Sequence, residues 1–214
     1  MIVAIDGPAG AGKSTIASEI SRLTGLFYLN TGNFYRALTL EAVNRKITPE
    51  QENLIIKLAE NTDISIINSR IHLNSTEVED FLHTDEVDRY VAQISAIKEV
   101  RVIINRKLHE VSRNLDIVAE GRDITTVVFP DADVKVYLDA SLDQRARRRL
   151  DQGVSFKSYN EIMESIKERD CIDINKKFGG LKRAEDALYL NSSDLTINEV
   201  CEKVMAEIYK IRKQ

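Results

Sequence analysis

Tryptophan is absent from the 214 residues, cysteine occurs twice and proline three times. The two cysteines, Cys171 and Cys201, are too far apart to make a metal-ligand spacing, so they read as reduced thiols of a cytoplasmic protein. A cationic excess is also missing. Thirty Lys and Arg stand against 34 Asp and Glu, a net charge of −4, with a pI near 5.5. A general nucleic-acid binder is more often basic, so no nucleic-acid partner is expected. No apolar run approaches the roughly 20 residues of a membrane span, and no basic n-region precedes the first apolar run. Neither a membrane partner nor a signal peptide is therefore expected. There is no internal repeat and no low-complexity segment. What remains is 43% apolar and 30% charged residues, the composition of a globular enzyme. The length suits one large domain, or a core with small insertions.

The most informative stretch is Ile2 to Thr15. Ile2-Val3-Ala4-Ile5 is short, apolar and β-branched, as in a strand buried on both faces. Gly7, Pro8, Ala9, Gly10, Ala11, Gly12, Lys13 and Ser14 then complete a G-x-x-x-x-G-K-[ST] pattern, followed by Thr15. Ile16, Ala17, Ile20 and Leu23 recur at helical spacing, so the pattern lies between a strand and a helix, where its mechanism needs it. Glycines let backbone N–H groups turn around an anion, and the helix N-terminus adds partial positive charge. Lys13 can reach the β- and γ-phosphates of a nucleotide such as ATP, and the Ser14 hydroxyl can ligand Mg²⁺.

Further strands are expected at Phe27–Leu29, Ile117–Ala119, Val134–Leu138 and Leu188–Leu190, with helical pattern between them. Thr48-Pro49-Glu50-Gln51 reads as a capping box, and Ser141-Leu142-Asp143-Gln144, Ser158-Tyr159-Asn160-Glu161 and Thr196-Ile197-Asn198-Glu199 each cap a helix, the first running through Leu150. The last helix shows an apolar face of Ile197, Val200, Cys201, Val204, Ile208 and Ile211. Between Ile64 and Leu73 the period changes to that of a small hairpin turning at Asn68-Ser69. Lys176–Lys182 reads as a mobile loop. Strands alternating with helices imply an α/β fold, a parallel sheet in three layers with helices on both faces. Ligands of such sheets bind at the carboxyl ends of the strands. The expected division is a core of 1–30, 85–146 and 183–214, a subdomain of 31–84 carrying the β insertion, and a short helical lid of 147–182.

A phosphate-cradling loop does not say what becomes of the phosphate. A GTP switch reads guanine with N-K-x-D. Here Asn175-Lys176-Lys177-Phe178 lacks the Asp. A small-molecule kinase needs cations between two polyanions and segments that close out water. Arg36, Arg122, Arg169 and the helical set Arg145, Arg148 and Arg149 supply such cations. Asp123, next to Arg122, could accept from the N4 amino group of cytosine, where uracil presents an acceptor. The alternative is that it caps a helix or pairs with an arginine.

These pieces together resemble the bacterial cytidylate kinases, (d)CMP kinases of the nucleoside monophosphate kinase superfamily. The resemblance rests on Ile5–Thr15, Thr31-Gly32 through Tyr35-Arg36, Glu120-Gly121-Arg122-Asp123, Thr126–Ala132, Leu138–Ser141, Arg145 to Arg149, Lys167–Asp170 and Asp186-Ala187. It runs nearly end to end. It implies direct in-line transfer of the γ-phosphoryl group of ATP, with Mg²⁺, to CMP or dCMP by a monomeric enzyme. It implies that Thr31, Tyr35, Arg36, Arg122, Arg169 and Lys176 hold the acceptor, that Arg101 and Asp123 read cytosine, and that Asp173 contacts the pentose. Arg145 and its neighbours are expected to close over the donor phosphates. The chain departs from its relatives at Asn30 (usually Asp), Ala92 (usually Ser), Thr125 (usually Gly), Lys176 (usually Arg) and Gly180 (usually Pro), the last suggesting a looser lid. A same-fold kinase for another acceptor such as UMP, and a nucleotide-binding module without turnover, remain as alternatives.

Overall fold

The computed structural model describes residues 1–153 and 158–213. Residues 154–157, inside the expected lid, lie outside the described residues. Contacts divide the chain into two compact units, Met1–Leu29 with Asn114–Gln214, and Asn30–Arg113.

The first unit is built on a five-stranded sheet. Its strands are β1 (Ile2–Asp6), β2 (Phe27–Asn30) and, after the second unit, β6 (Ile117–Gly121), β7 (Val134–Asp139) and β8 (Leu188–Asn191). Their order is β2-β6-β1-β7-β8, with β1 parallel to β6 and β7, and β7 parallel to β8. Val3, Ala4 and Ile5 are fully buried, as are Val118 and Ala119, so both faces of the central strands are covered. This is why these strands read as continuous apolar runs and not as alternation. Helices α1 (Lys13–Thr24) and α8 (Ile197–Arg212) pack on one face through Ile16, Ile20, Val200, Cys201, Val204 and Ile208. The α/β reading holds. In α8, however, Ile197 is exposed. As the first residue after the Thr196 cap it lies before the buried stripe begins.

Two further helices of this unit, α6 (Leu142–Asp151) and α7 (Tyr159–Asn175), pack together around Ala146, Ile162 and Ile166. Ser141 caps α6 through the Gln144 N–H, and full capping boxes start α7 at Ser158 and α8 at Thr196. The Lys176–Lys182 stretch is not the loose loop expected. The Leu181 N–H donates to the Asp173 carbonyl at 2.8 Å, and the Leu181 side chain is buried. Gly180 is packed so closely that a Cβ would come within 3.0 Å of the Ile174 carbonyl oxygen and 3.1 Å of that of Lys176. The glycine there permits close wrapping of the helix end, which a reading of glycine as flexibility missed.

The second unit holds α2 (Thr31–Asn44), α3 (Glu52–Asn61), β3 (Ile64–Ile67), β4 (Arg70–Leu73), β5 (Thr76–Glu77), α4 (Asp85–Ile94) and α5 (Lys98–Ser112). The hairpin turns at Asn68-Ser69, both at positive φ, as two-residue turns require. Asn74-Ser75 repeats the device and adds β5, unforeseen because two exposed polar residues carry no strand pattern. Phe34, Leu38, Ile55, Leu82, Ile94, Ile104 and Leu108 form the fully buried interior. Residues 85–113 thus belong to this unit by contact, where the sequence reading grouped them with the core. The Thr48–Gln51 signature also works differently from a capping box. Gln51 accepts from the Thr48 N–H at 3.0 Å, but it closes a turn, and α3 starts only at Glu52.

Candidate active site

β1 ends in the phosphate-loop pattern because Gly7 allows it. A Cβ at that position would fall 1.9 Å from the Leu138 carbonyl oxygen on neighbouring β7. The loop runs into α1, whose first turn carries Lys13, with Ser14 and Thr15 exposed. Lys13 is buried and its Nζ donates to the Pro8 carbonyl at 2.8 Å. Burial, helped by the repulsion of Arg122 and Arg169, lowers its pKa to about 7. The Ser14 hydroxyl donates to the Glu120 carboxylate at 2.6 Å, and the Tyr28 hydroxyl reaches the same oxygen at 3.2 Å. The Ser14 hydroxyl on α1 and the Glu120 carboxylate on β6 are hard oxygen donors of the kind that would suit Mg²⁺. Glu120 was part of the quoted motif but not of the expected site. Its signal was a lone acid closing the strand beside β1.

The expected trio on α6 separates. Arg145 donates to the Ala140 carbonyl at 3.0 Å, to the Ala9 carbonyl at 3.0 Å and to Asp170 at 2.5 Å. Asp170 also accepts from the Ala9 N–H at 3.2 Å, so this carboxylate engages both the loop and its arginine. Arg148 donates to the Ala11 carbonyl at 3.2 Å and to the Ser192 carbonyl at 2.5 Å. Arg149 bonds Gln152, the residue just past the end of α6, at 3.3 Å. Two of the three therefore reach the phosphate loop. Gly10 lies beside Arg145 and Gly12 beside Arg148, where added Cβ atoms would meet these side chains.

A second cluster forms around Asp173 on α7. Its carboxylate accepts from Arg122 at 2.8 Å and from Lys176 at 2.7 Å. Burial would push the Asp173 carboxyl up, but Arg122, Lys176 and Arg169 together outweigh it and hold it well below the usual range. For Arg122 burial acts downward, and Asp173 reverses it. Lys176 thus serves as a point charge on one carboxylate oxygen. Asp123 is buried, and its side chain does not cap the π-turn (Ile124–Val128) that follows it.

In the second unit, Thr31 opens α2 and is buried. Arg36, one turn on, donates to the Leu82 carbonyl at 2.8 Å and to Asp88 at 2.6 Å. Arg101, fully buried, donates to the Ser95 carbonyl at 3.0 Å and lies 5.3 Å over the Tyr35 ring. Tyr35 in turn bonds Asn105 at 3.3 Å. The structure thus brings Tyr35 together with Arg101. The Ser95 hydroxyl donates to the Ala92 carbonyl at 3.0 Å. Asp88 was missed because it reads as one more acid in the first turn of α4.

A family model described as cytidylate kinase matches residues 3–210. The chain belongs to the cytidylate kinase family. It is 40% identical to a cytidylate kinase of Caldanaerobacter subterraneus subsp. tengcongensis over 99% of this chain and 96% of the relative. It is also 40% identical to one of Carboxydothermus hydrogenoformans, with 96% of each covered. Among solved structures, a gluconokinase from Sinorhizobium meliloti superposes with a TM-score of 0.51 at 10% identity, covering 98% of this chain and 91% of that one. At that identity the likeness supports the fold alone. As a cytidylate kinase family member the chain is an enzyme, a kinase with a phosphate-loop core.

Proposed function

We propose that this enzyme transfers the γ-phosphoryl group of ATP to CMP or dCMP in one in-line step. The observation that carries the reading is the gathering of largely buried cations around the phosphate loop and Asp173. Lys13 is buried beside the loop, and Arg122 and Lys176 converge on the buried Asp173 carboxylate, with Arg122 and Arg169 repelling Lys13 and Glu120 and Asp173 attracting it. Such a gathering is costly in the free protein and suits a polyanion in transit between two nucleotides. Residues Gly7–Thr15, with Arg145 and Arg148, hold the donor phosphates. Ser14 and Glu120 would hold Mg²⁺, which would supply charge neutralisation on the phosphates. Arg122, Arg169 and Lys176 take the acceptor phosphate, Asp173 its pentose and Asp123 the cytosine amino group. Thr31, Tyr35, Arg36 and Arg101 contribute to the acceptor's recognition. No residue forms a covalent intermediate, and catalysis is positioning and charge neutralisation.

One coupled assay of ADP release tests this, with ATP and a panel of CMP, dCMP, UMP, AMP, GMP and shikimate. Turnover confined to CMP and dCMP is expected. ATP binding without turnover on any acceptor would sink the proposal in favour of a binding module, and preference for UMP would relocate the base-reading residues.

A further inference from the structure

Asp6 closes β1 with a fully buried carboxylate. One oxygen accepts from the Ile124 N–H at 2.8 Å. The other accepts from the Thr125 N–H at 2.8 Å and from the Thr125 hydroxyl at 2.6 Å. These donors open the π-turn that directly follows Arg122 and Asp123. Within the turn the Asp123 carbonyl accepts from the Val127 and Val128 N–H groups at 2.8 and 3.1 Å, and the Ile124 carbonyl accepts from Phe129 at 2.7 Å. Since Gly7 follows Asp6, one carboxylate links the entry of the phosphate loop to the segment bearing Arg122 and Asp123. The hydroxyl at 125 is the only side-chain donor among the three, and it supplies what a glycine there could not.

We propose that Thr125 is a positioning residue for the acceptor, its hydroxyl completing the donor set on Asp6 and so fixing the Arg122–Asp123 segment in the orientation that receives the nucleoside monophosphate. The proposal rests on the acceptor roles of Arg122 and Asp123 given above. A buried carboxylate keeps its charge only while its donors are in place. Burial pushes the Asp6 carboxyl up to about 6. The Thr125 hydroxyl is the largest influence against that rise, and the charge of Asp123 adds to it. Asp123, from the turn, and Tyr137, beside it on β7, are the titratable groups facing Asp6. Without the hydroxyl, Asp6 takes up a proton nearer neutrality and loses an acceptor position, and the turn loses a tether.

Steady-state kinetics of Thr125→Val and Thr125→Ser against wild type, from pH 5.5 to 8, test this. The CMP phosphate itself titrates near pH 6, so the readout is the ratio of variant to wild type at each pH. For Thr125→Val, KM for CMP is expected to rise about tenfold at pH 7, the scale of one charge-assisted hydrogen bond. The ratio should shrink below pH 6, where Asp6 is protonated in both proteins, while KM for ATP stays put and Thr125→Ser restores wild-type values. A ratio independent of pH, or equal losses for ATP and CMP with a lowered Tm, would overturn the proposal. If Thr125→Val does not fold, Thr125→Ala decides by the same kinetics. In that case a rise in KM for CMP in Thr125→Ala with KM for ATP unchanged supports the proposal, and equal losses for both substrates refute it. Asp123→Ala separates this proposal from the one beneath it. Unchanged preference for CMP over UMP in that variant would remove the acceptor assignment itself. Lost preference there, with a wild-type-like Thr125→Val, would remove only the role of Thr125.

Discussion

Arg122 has its Nε on Asp173 and its positive charge within the field of Lys13. Its replacement by Ala should slow turnover by roughly 10²–10³, the scale of one preorganised charge-stabilising group. Near-normal kcat in a coupled assay would remove Arg122 from the phosphate clamp. Lys13 makes a second prediction, one of protons. Its pKa is lowered on folding to about 7, so between that value and the ordinary lysine range the unfolded chain binds more protons than the folded one. Stability contributed by this group therefore rises with pH above 7. Donor phosphates restore the charge, so ATP binding at pH 8 should take up a proton. Calorimetry in two buffers of different ionisation heat measures this, and zero uptake would place Lys13 beyond reach of the phosphates. At this scale the phosphate loop and the arginines were legible because each is a residue type with one dominant chemistry. Asp6, Glu120, Asp170 and Asp88 were not, since an acid in sequence does not reveal which donor it will meet.

Among the elements, the end of α7 shows how packing overrides composition. Two adjacent glycines, Gly179 and Gly180, suggested mobility, yet the backbone there folds back onto the helix that carries Asp173. Gly180→Ala should cost about 1–3 kcal/mol, since the added methyl meets carbonyl oxygens and not a side chain that can swing aside. Urea unfolding measures the loss, and a shift under about 0.5 kcal/mol would show the wrap to be loose after all. Capping chemistry was the most readable feature at this level. Ser158 and Thr196 set their helices where local hydrogen bonding alone would. Thr48 did not, because Pro49 and Glu50 are held in a turn before α3 begins. The π-turn after Asp123 had no local signature. Its conformation is dictated by Asp6, more than a hundred residues earlier.

For the whole molecule, the alternation of buried strands and helices gave the sheet, and the change of period at Ile64 gave the insertion. The sequence did not show that α4 and α5 belong with that insertion, because amphipathic helices look alike whichever core they cover. The two units make ligand effects separable. ATP without acceptor should raise apparent stability by about 2.7 kcal/mol at a hundredfold excess over its Kd. Hydrogen exchange should slow in residues 7–15 and 140–149, and slowing confined to residues 30–113 would contradict the donor assignment. Among the described residues no helix is long and apolar enough to cross a membrane.

The missing tryptophan has a practical consequence. Emission and near-ultraviolet absorption of this enzyme come from seven tyrosines without a stronger indole signal to mask them. Tyr28 touches Glu120, and Tyr35 lies under Arg101. A phenol bonded to a carboxylate and a phenol stacked on a guanidinium absorb and emit differently from phenols in water. The chain thus carries two phenols in distinct surroundings, one beside the proposed metal ligands and one beside a proposed base-reading arginine.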